Sequence, residues 1–138
     1  MRVYLTMLCV LVSSSVVAQP AGTSNLEHMM GLRPVSAPRL ERMIAGNTVL
    51  NIAVNDDWTV FYGKDGTQRG TFRADNDVGR WRVAWSTLGS ELCSSWTKWR
   101  PTEKCFPVFL NRDGKLVGMD GTKFSWVGAV ARGNSSKL

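Results

Sequence analysis

The chain has 138 residues, a formal net charge of +6, 43% apolar and 20% charged side chains. These are ordinary globular proportions, and they exclude wholesale disorder, a collagen-like repeat and a multi-pass membrane protein. At this length a single domain is expected, able to bury roughly two-thirds of its unfolded surface.

Residues 1–18 read as a secretory signal peptide. Arg2 supplies the positive charge, Val3 to Val12 the apolar run, and Val16 and Ala18 the small residues before a cleavage site. The run is far short of the roughly 20 apolar residues that span a bilayer, so no transmembrane segment is expected in the mature protein. Leu8 precedes Cys9, where a lipid-anchor site would need a small residue. Cleavage after Ala18 leaves about 120 residues, removes Cys9 and lowers the net charge by one through loss of Arg2. A periplasmic or extracellular destination follows. The bases are spread along the chain rather than gathered in a block, so nucleic acid is not an expected partner. An envelope component or an anionic small molecule suits a modest positive excess better, although solubility alone also explains it. The terminal Ser136-Lys137-Leu138 imitates a peroxisomal address that a secreted chain would not use.

Residues 19–35 are polar and small and read as a flexible leader, residues 36–132 as one β-rich domain, and residues 133–138 as a flexible tail. Ser36 is placed to cap a short helix with Pro38 in its first turn. Leu40, Met43 and Ile44 would share its apolar face, Val35 would staple onto Leu40, and Gly46 would end it. From Asn47 the apolar period changes to two. Leu50, Ile52 and Val54 fall on one strand face, and Trp58, Val60 and Tyr62 on the next after an Asn55-Asp56-Asp57 turn. Lys64-Asp65-Gly66-Thr67, Asp113-Gly114 and Asp120-Gly121 are hairpin turns. Further strands are predicted near 68–73, 79–86, 91–97, 105–111, 115–119 and 123–131. The fold class is therefore mainly β: an antiparallel meander of about eight strands, forming a small barrel or a strongly bent sheet behind one short helix. Pro107 cannot donate to a ladder, so its strand is expected at an edge or at a bulge, which places full closure in question.

The mature chain keeps two cysteines, Cys93 and Cys105, in an oxidising compartment, and a disulfide is expected between them. A metal site would lack ligands, since the single histidine, His28, lies in the leader. No metal and no cofactor is assigned.

The run from Ile44 to Trp126 resembles an uncharacterised family of exported bacterial proteins defined by a domain of unknown function. The resemblance rests on Ala45-Gly46-Asn47-Thr48, Phe61-Tyr62-Gly63-Lys64-Asp65-Gly66-Thr67, Gly79-Arg80-Trp81-Arg82-Val83, and Cys93 with Trp96 leading to Cys105, in that order. It implies a periplasmic, disulfide-bonded β-domain and carries over no catalytic or binding residue.

Two segments hold the candidate ligand and partner residues. On the strand 79–86, Trp81 and Trp85 share one face with Val83, while Arg80 and Arg82 share the other with Ala84. The tryptophan face would either fill a core or line a cup for an apolar ligand. The arginines would either be solvated or clamp an anionic group. Trp96, Lys98, Trp99 and Arg100 lie inside the disulfide loop and mix rings with charge. They would either cover the disulfide or present a partner-binding surface.

Catalytic constellations are missing from the pattern. His28 is in the leader, and Asp56 with Asp57 and Asp75 with Asp77 read as turn residues rather than as an acid–base pair. The leading expectation is an exported, non-enzymatic module binding a small apolar or weakly anionic ligand or an envelope partner. The alternative is a hydrolase acting on envelope material.

Overall fold

A computed structural model describes residues 30–52 and 57–138. The segment 1–18 read from sequence as a signal peptide, the predicted leader through Met29 with His28, and Val54, Asn55 and Asp56 lie outside these residues. A two-residue strand β1 (Arg33–Pro34) is followed by helix α1 (Ala37–Ile44). Eight longer strands follow: β2 (Asn47–Asn51), β3 (Trp58–Tyr62), β4 (Thr67–Phe72), β5 (Asp75–Ser86), β6 (Gly89–Trp96), β7 (Lys104–Leu110), β8 (Leu116–Asp120) and β9 (Lys123–Ala131).

From β2 onward each strand pairs antiparallel with its neighbour in sequence, and β9 returns to pair with β2 through Thr48↔Ala131, Val49↔Val130, Leu50↔Ala129 and Asn51↔Gly128. The result is a closed, eight-stranded, up-and-down barrel with β1 as an extra strand. Full closure holds despite Pro107, because β7 changes neighbours there. It pairs with β6 through Cys105, Phe106 and Pro107, then with β1 at Phe109 and Leu110, while β8 joins its other side from Val108. The missing N–H falls at this junction rather than within an uninterrupted ladder. The other irregularity is a register shift between β8 and β9 at Gly118 and Met119.

One end of the barrel is plugged. Leu40 and Ile44 of α1 are fully buried and join Val35, Val49, Val60, Tyr62, Trp81, Leu92, Val108, Leu110 and Leu116 in one core. Pro38 opens the helix, as its fixed φ and absent N–H suit the first turn. Ser36 takes the extended cap conformation without a side-chain cap bond. The chain leaves the helix through Gly46 at φ +75°, where a left-handed residue turns it directly into β2. Outside the wall, Leu32, Phe109, Val117 and Met119 form a second cluster with Leu88 and Val127. The N-terminal segment thus laces through the wall, with Leu32 outside and Val35 inside. Leu32 to Val35, assigned from sequence to a flexible leader, are packed as part of the folded unit.

Three further expectations are corrected. The inward residue of β2 is Val49, buried in the core, rather than Leu50, and Ile52 lies past the strand at 48% exposure. In the register with β9, Val49 lies opposite Val130 and its side chain packs into the space left by Gly128. Asp75 and Asp77 belong to β5 rather than to a turn, and the turn before them is Arg73-Ala74, with φ of +46° and +69°. The C-terminal residues are tied back: Thr48 Oγ1 donates to Gly133 O (2.7 Å) and accepts from Ser135 N (3.1 Å), and Asn47 Oδ1 accepts from Gly133 N (2.9 Å).

Cys93 and Cys105 sit directly opposite each other on β6 and β7 and form the expected disulfide, with Cα atoms 3.9 Å apart. Replacing either by Ala should lower stability by about 2–5 kcal/mol in urea denaturation, as for a native bridge in a small domain. Unreduced peptide mapping should recover the two as one cross-linked species. Ile44→Ala should cost about 2–5 kcal/mol, because it empties part of the plugged end where no neighbour can collapse into the space.

Candidate functional site

The end of the barrel opposite α1 is not filled. A cavity of about 470 Å³ opens there. Its floor is Val60, Tyr62, Leu92 and Ser94, and its upper wall is Trp58, Phe72, Trp96, Trp99, Phe106, Ser125 and Trp126. Arg100 is the one charged residue in the lining. The volume falls within the range of small-molecule sites, and a mainly aromatic wall with a few polar groups is their usual composition.

The rings are interlocked. Trp58 and Trp126 meet edge to face at 6.0 Å, Phe72 and Trp99 at 6.4 Å, and Trp96 lies tilted on Trp99 at 4.9 Å. Such contacts fix ring orientation as well as burying area. Two glycines make room for the wall. A Cβ on Gly70 would fall 2.6 Å from the Trp96 ring, and one on Gly118 would collide with the indole of Trp126.

The loop from Thr97 to Glu103 brings Trp99 and Arg100 over the mouth, and β5 holds it. Asp77, buried in the wall, accepts from Lys98 N (2.8 Å), Trp99 N (2.9 Å) and Val78 N (2.8 Å). Asp75 accepts from Lys98 Nζ (2.8 Å) and from Trp99 Nε1 (2.9 Å). Two backbone bonds complete the anchorage, Trp96 N to Arg100 O (2.7 Å) and Thr97 N to Val78 O (2.9 Å). The Asp75 carboxyl is held below the usual carboxylate range by the Lys98 and Trp99 hydrogen bonds. For Asp77, burial raises the value, but the backbone N–H groups of Trp99, Lys98 and Val78 outweigh it and the net direction is downward. Both acids are engaged in holding a loop, an unsuitable arrangement for a general acid–base pair.

Arg100 reaches inward from this loop. Its Nη2 donates to Ser94 O (3.0 Å) and Ser94 Oγ (2.8 Å), and its guanidinium lies 5.6 Å from the centre of the Phe106 ring. Its Nε is buried with no hydrogen-bond partner among the described residues. Burial pushes the Arg100 pKa down, with a smaller opposing contribution from Tyr62, and burial pushes the Tyr62 hydroxyl well up.

The sequence-predicted candidates are distributed as follows. Trp96, Trp99 and Arg100 line the cavity, facing the interior rather than covering the disulfide, because β6 places Trp96 with Leu92 and Ser94 on the inward face and Cys93 on the outward one. Lys98 is on the same loop but paired with Asp75. Trp81 is buried beneath the floor, 7% exposed, with Nε1 donating to Gly63 O (2.9 Å) and its ring edge-on to Tyr62. Trp85 shares its strand face but lies beyond the barrel's closed end at 77% exposure. Neither lines this cavity. Arg80 and Arg82 are on the outer surface, where Arg82 forms a two-bond pair with Glu103 (2.6 and 3.0 Å) that raises its pKa and lowers that of Glu103. Trp58, Tyr62, Phe72, Phe106 and Trp126 were not assigned to a site from sequence. Their signal was inward parity on strands that meet only once the barrel closes.

Glu91 with Cys93 and Cys105 is the one cluster of metal-type ligands among the described residues, and both its sulfurs are spent in the disulfide. No helix among the described residues is long and apolar enough to cross a membrane.

Because the Asp75 and Asp77 pKa values are depressed by folding, the stabilisation they give the loop is complete above the ordinary carboxylate range and is lost as pH falls through the depressed values. Hydrogen exchange should show this as falling protection factors at the Lys98 and Trp99 amides in acid. Asp77→Asn should produce the same loss at neutral pH, and unchanged protection there would mean that the loop is held by other contacts.

No family model matches the chain, and neither a curated protein nor a solved structure matches it.

Proposed function

We propose that this protein is an exported, non-enzymatic binding module whose barrel cavity takes up a small, mainly apolar ligand. The observation that carries the reading is the asymmetry of the barrel. Side chains of α1 fill one end, while the other opens on an aromatic cavity of about 470 Å³. An eight-stranded barrel is wide enough either to be packed solid or to hold one small ligand, and this chain combines the two along one axis.

Export is supported by the signal-peptide pattern of residues 1–18 and by the Cys93–Cys105 bridge, which persists in oxidising compartments. The resemblance to an exported bacterial family agrees with it. The hydrolase alternative draws no support from the site, since Asp75 and Asp77, the acids it would use, are taken up by the loop.

Six tryptophans, four of them in the cavity wall, make the reading directly testable. Titration with naphthalenemethanol, a neutral ring probe, should give a saturable change in intrinsic fluorescence. Trp58→Ala should weaken binding on the order of tenfold, which corresponds to about 1.4 kcal/mol of lost ring contact. Trp85→Ala, at the far end, should leave affinity unchanged. A linear response with no saturation, or equal weakening by both substitutions, would refute the cavity as the binding site.

A further inference from the structure

We propose that the cavity selects an organic monoanion: a planar apolar body carrying one carboxylate, seated with the carboxylate on the guanidinium of Arg100. The inference deepens the cavity reading above and rests on it.

Arg100 is the sole charge in a lining otherwise made of aromatic, aliphatic and hydroxyl side chains. Among the described residues the ion pairs go to Arg82, Lys98 and Lys104, and none goes to Arg100. The carboxylates on or against its loop are engaged elsewhere, Asp75 and Asp77 with Lys98 and Trp99 and Glu103 with Arg82. Only Nη2 has partners, both on Ser94, and Nη1 makes no hydrogen bond among the described residues. A partly desolvated guanidinium held without a counter-charge is costly, and charges withdrawn from water are ordinarily paired. Its burial is nonetheless built in. The Asp77 clamp fixes the loop, the Trp96 N to Arg100 O bond fixes the backbone at Arg100, and Ser94 fixes the side chain. A cation held in place in the cavity lining, with Nη1 left unused by the described residues, is arranged to receive an anion.

The number of charges limits which anion. A single cation balances a single negative charge, whereas a phosphate dianion would bring a second that nothing in the lining meets. Lys104, which approaches the Phe106 ring at 4.7 Å, is already paired with Asp120 at 2.7 Å. The walls specify the rest of the ligand. Trp96, Trp99, Trp58 and Trp126 offer ring faces and edges but few hydrogen bonds, which favours a flat apolar body over a polyhydroxylated one.

The test compares naphthoate with naphthalenemethanol, the same ring system with and without the charge, on the full-length mature protein by fluorescence titration at neutral pH. Naphthoate should bind wild type at least about tenfold more tightly. Arg100→Gln should abolish that preference, bringing naphthoate to the alcohol's affinity measured in the same variant, and Arg100→Lys should retain part of it. Equal affinities in wild type, or a preference that survives Arg100→Gln, would overturn the anion seat and leave the cavity reading standing. Displacement of naphthoate by equimolar inorganic phosphate would overturn the requirement for an apolar body. Failure of both probes to bind would remove the cavity reading and this inference together. The wild-type comparison decides the matter even where a variant does not fold.

Discussion

Pairing of β2 with β9 is the constraint on which the rest of this structure depends. Once Val49 faces Val130, every long strand has two neighbours, no extended edge is left to template aggregation, and the interior width is set by the strand number. That width must be occupied. At one end about two turns of helix do so, with Leu40 and Ile44 reaching into the core and Val35 beside them. The strands line this space with Val49, Trp81, Leu92 and Leu116, and the helix side chains complete the filling at its end. The placement of α1 directly before β2 puts them there. It also explains why the segment preceding it is folded rather than loose: β1 pins the helix to β7 so that the plug cannot drift.

The unplugged end is governed by a different balance. Its wall is made of rings, and rings need either Cβ-free backbone or another ring to lie against. Gly70 and Gly118 supply the first, and the Trp58–Trp126 and Trp96–Trp99 contacts supply the second. Glycine inside a strand ordinarily weakens it, and an aromatic ring laid across the gap restores the lost contact. The walls are thus stiffened by the same contacts that keep them from collapsing inward. Arg100 is tolerated there through Ser94 and the quadrupole of Phe106, which replace part of its hydration without neutralising it. A guanidinium keeps its proton in proteins, so the group remains a cation in the cavity.

Much of the architecture was legible along the chain, and the failures have physical causes. Period two, the Asp-Gly turns and the Pro38-to-Gly46 helix are local signals, and they located all eight barrel strands and α1. The phase of β2 was not local. Leu50, Ile52 and Val54 look like an apolar face, but the face is chosen by long-range pairing with β9, which selects Val49. The Arg73-Ala74 turn escaped because neither residue carries the usual preference for positive φ, so Arg73 was assigned to the preceding strand and the turn was placed at Asp75 and Asp77. The site shows the sharper limit. Alternation tells which face a residue takes but not its height along the barrel axis, so Trp81 and Trp85 looked equivalent while one is core and the other faces solvent. Likewise Trp96, Trp99 and Arg100 stood out through their chemistry, whereas Trp58, Phe106 and Trp126 acquire meaning only as their opposite wall.

The two aspartates connect these levels. A turn reading assigns Asp75 and Asp77 to their own backbone, which is the common fate of aspartate between strands. In the folded chain they sit on β5 instead and accept from a loop more than twenty residues away, with donors at Lys98 and Trp99. Their role is set by distance along the chain: the disulfide fixes the stem of the β6–β7 hairpin at Cys93 and Cys105, but leaves the tip free to swing. Asp77 removes that freedom at the point where the chain turns over the mouth. Bridge and carboxylate thus divide one task. The covalent link restrains the unfolded chain and aligns the strands, while the hydrogen bonds determine which way the loop folds. Without the second, Trp99 and Arg100 would have no reason to enter the barrel, and the cavity would lose both part of its wall and its only charge.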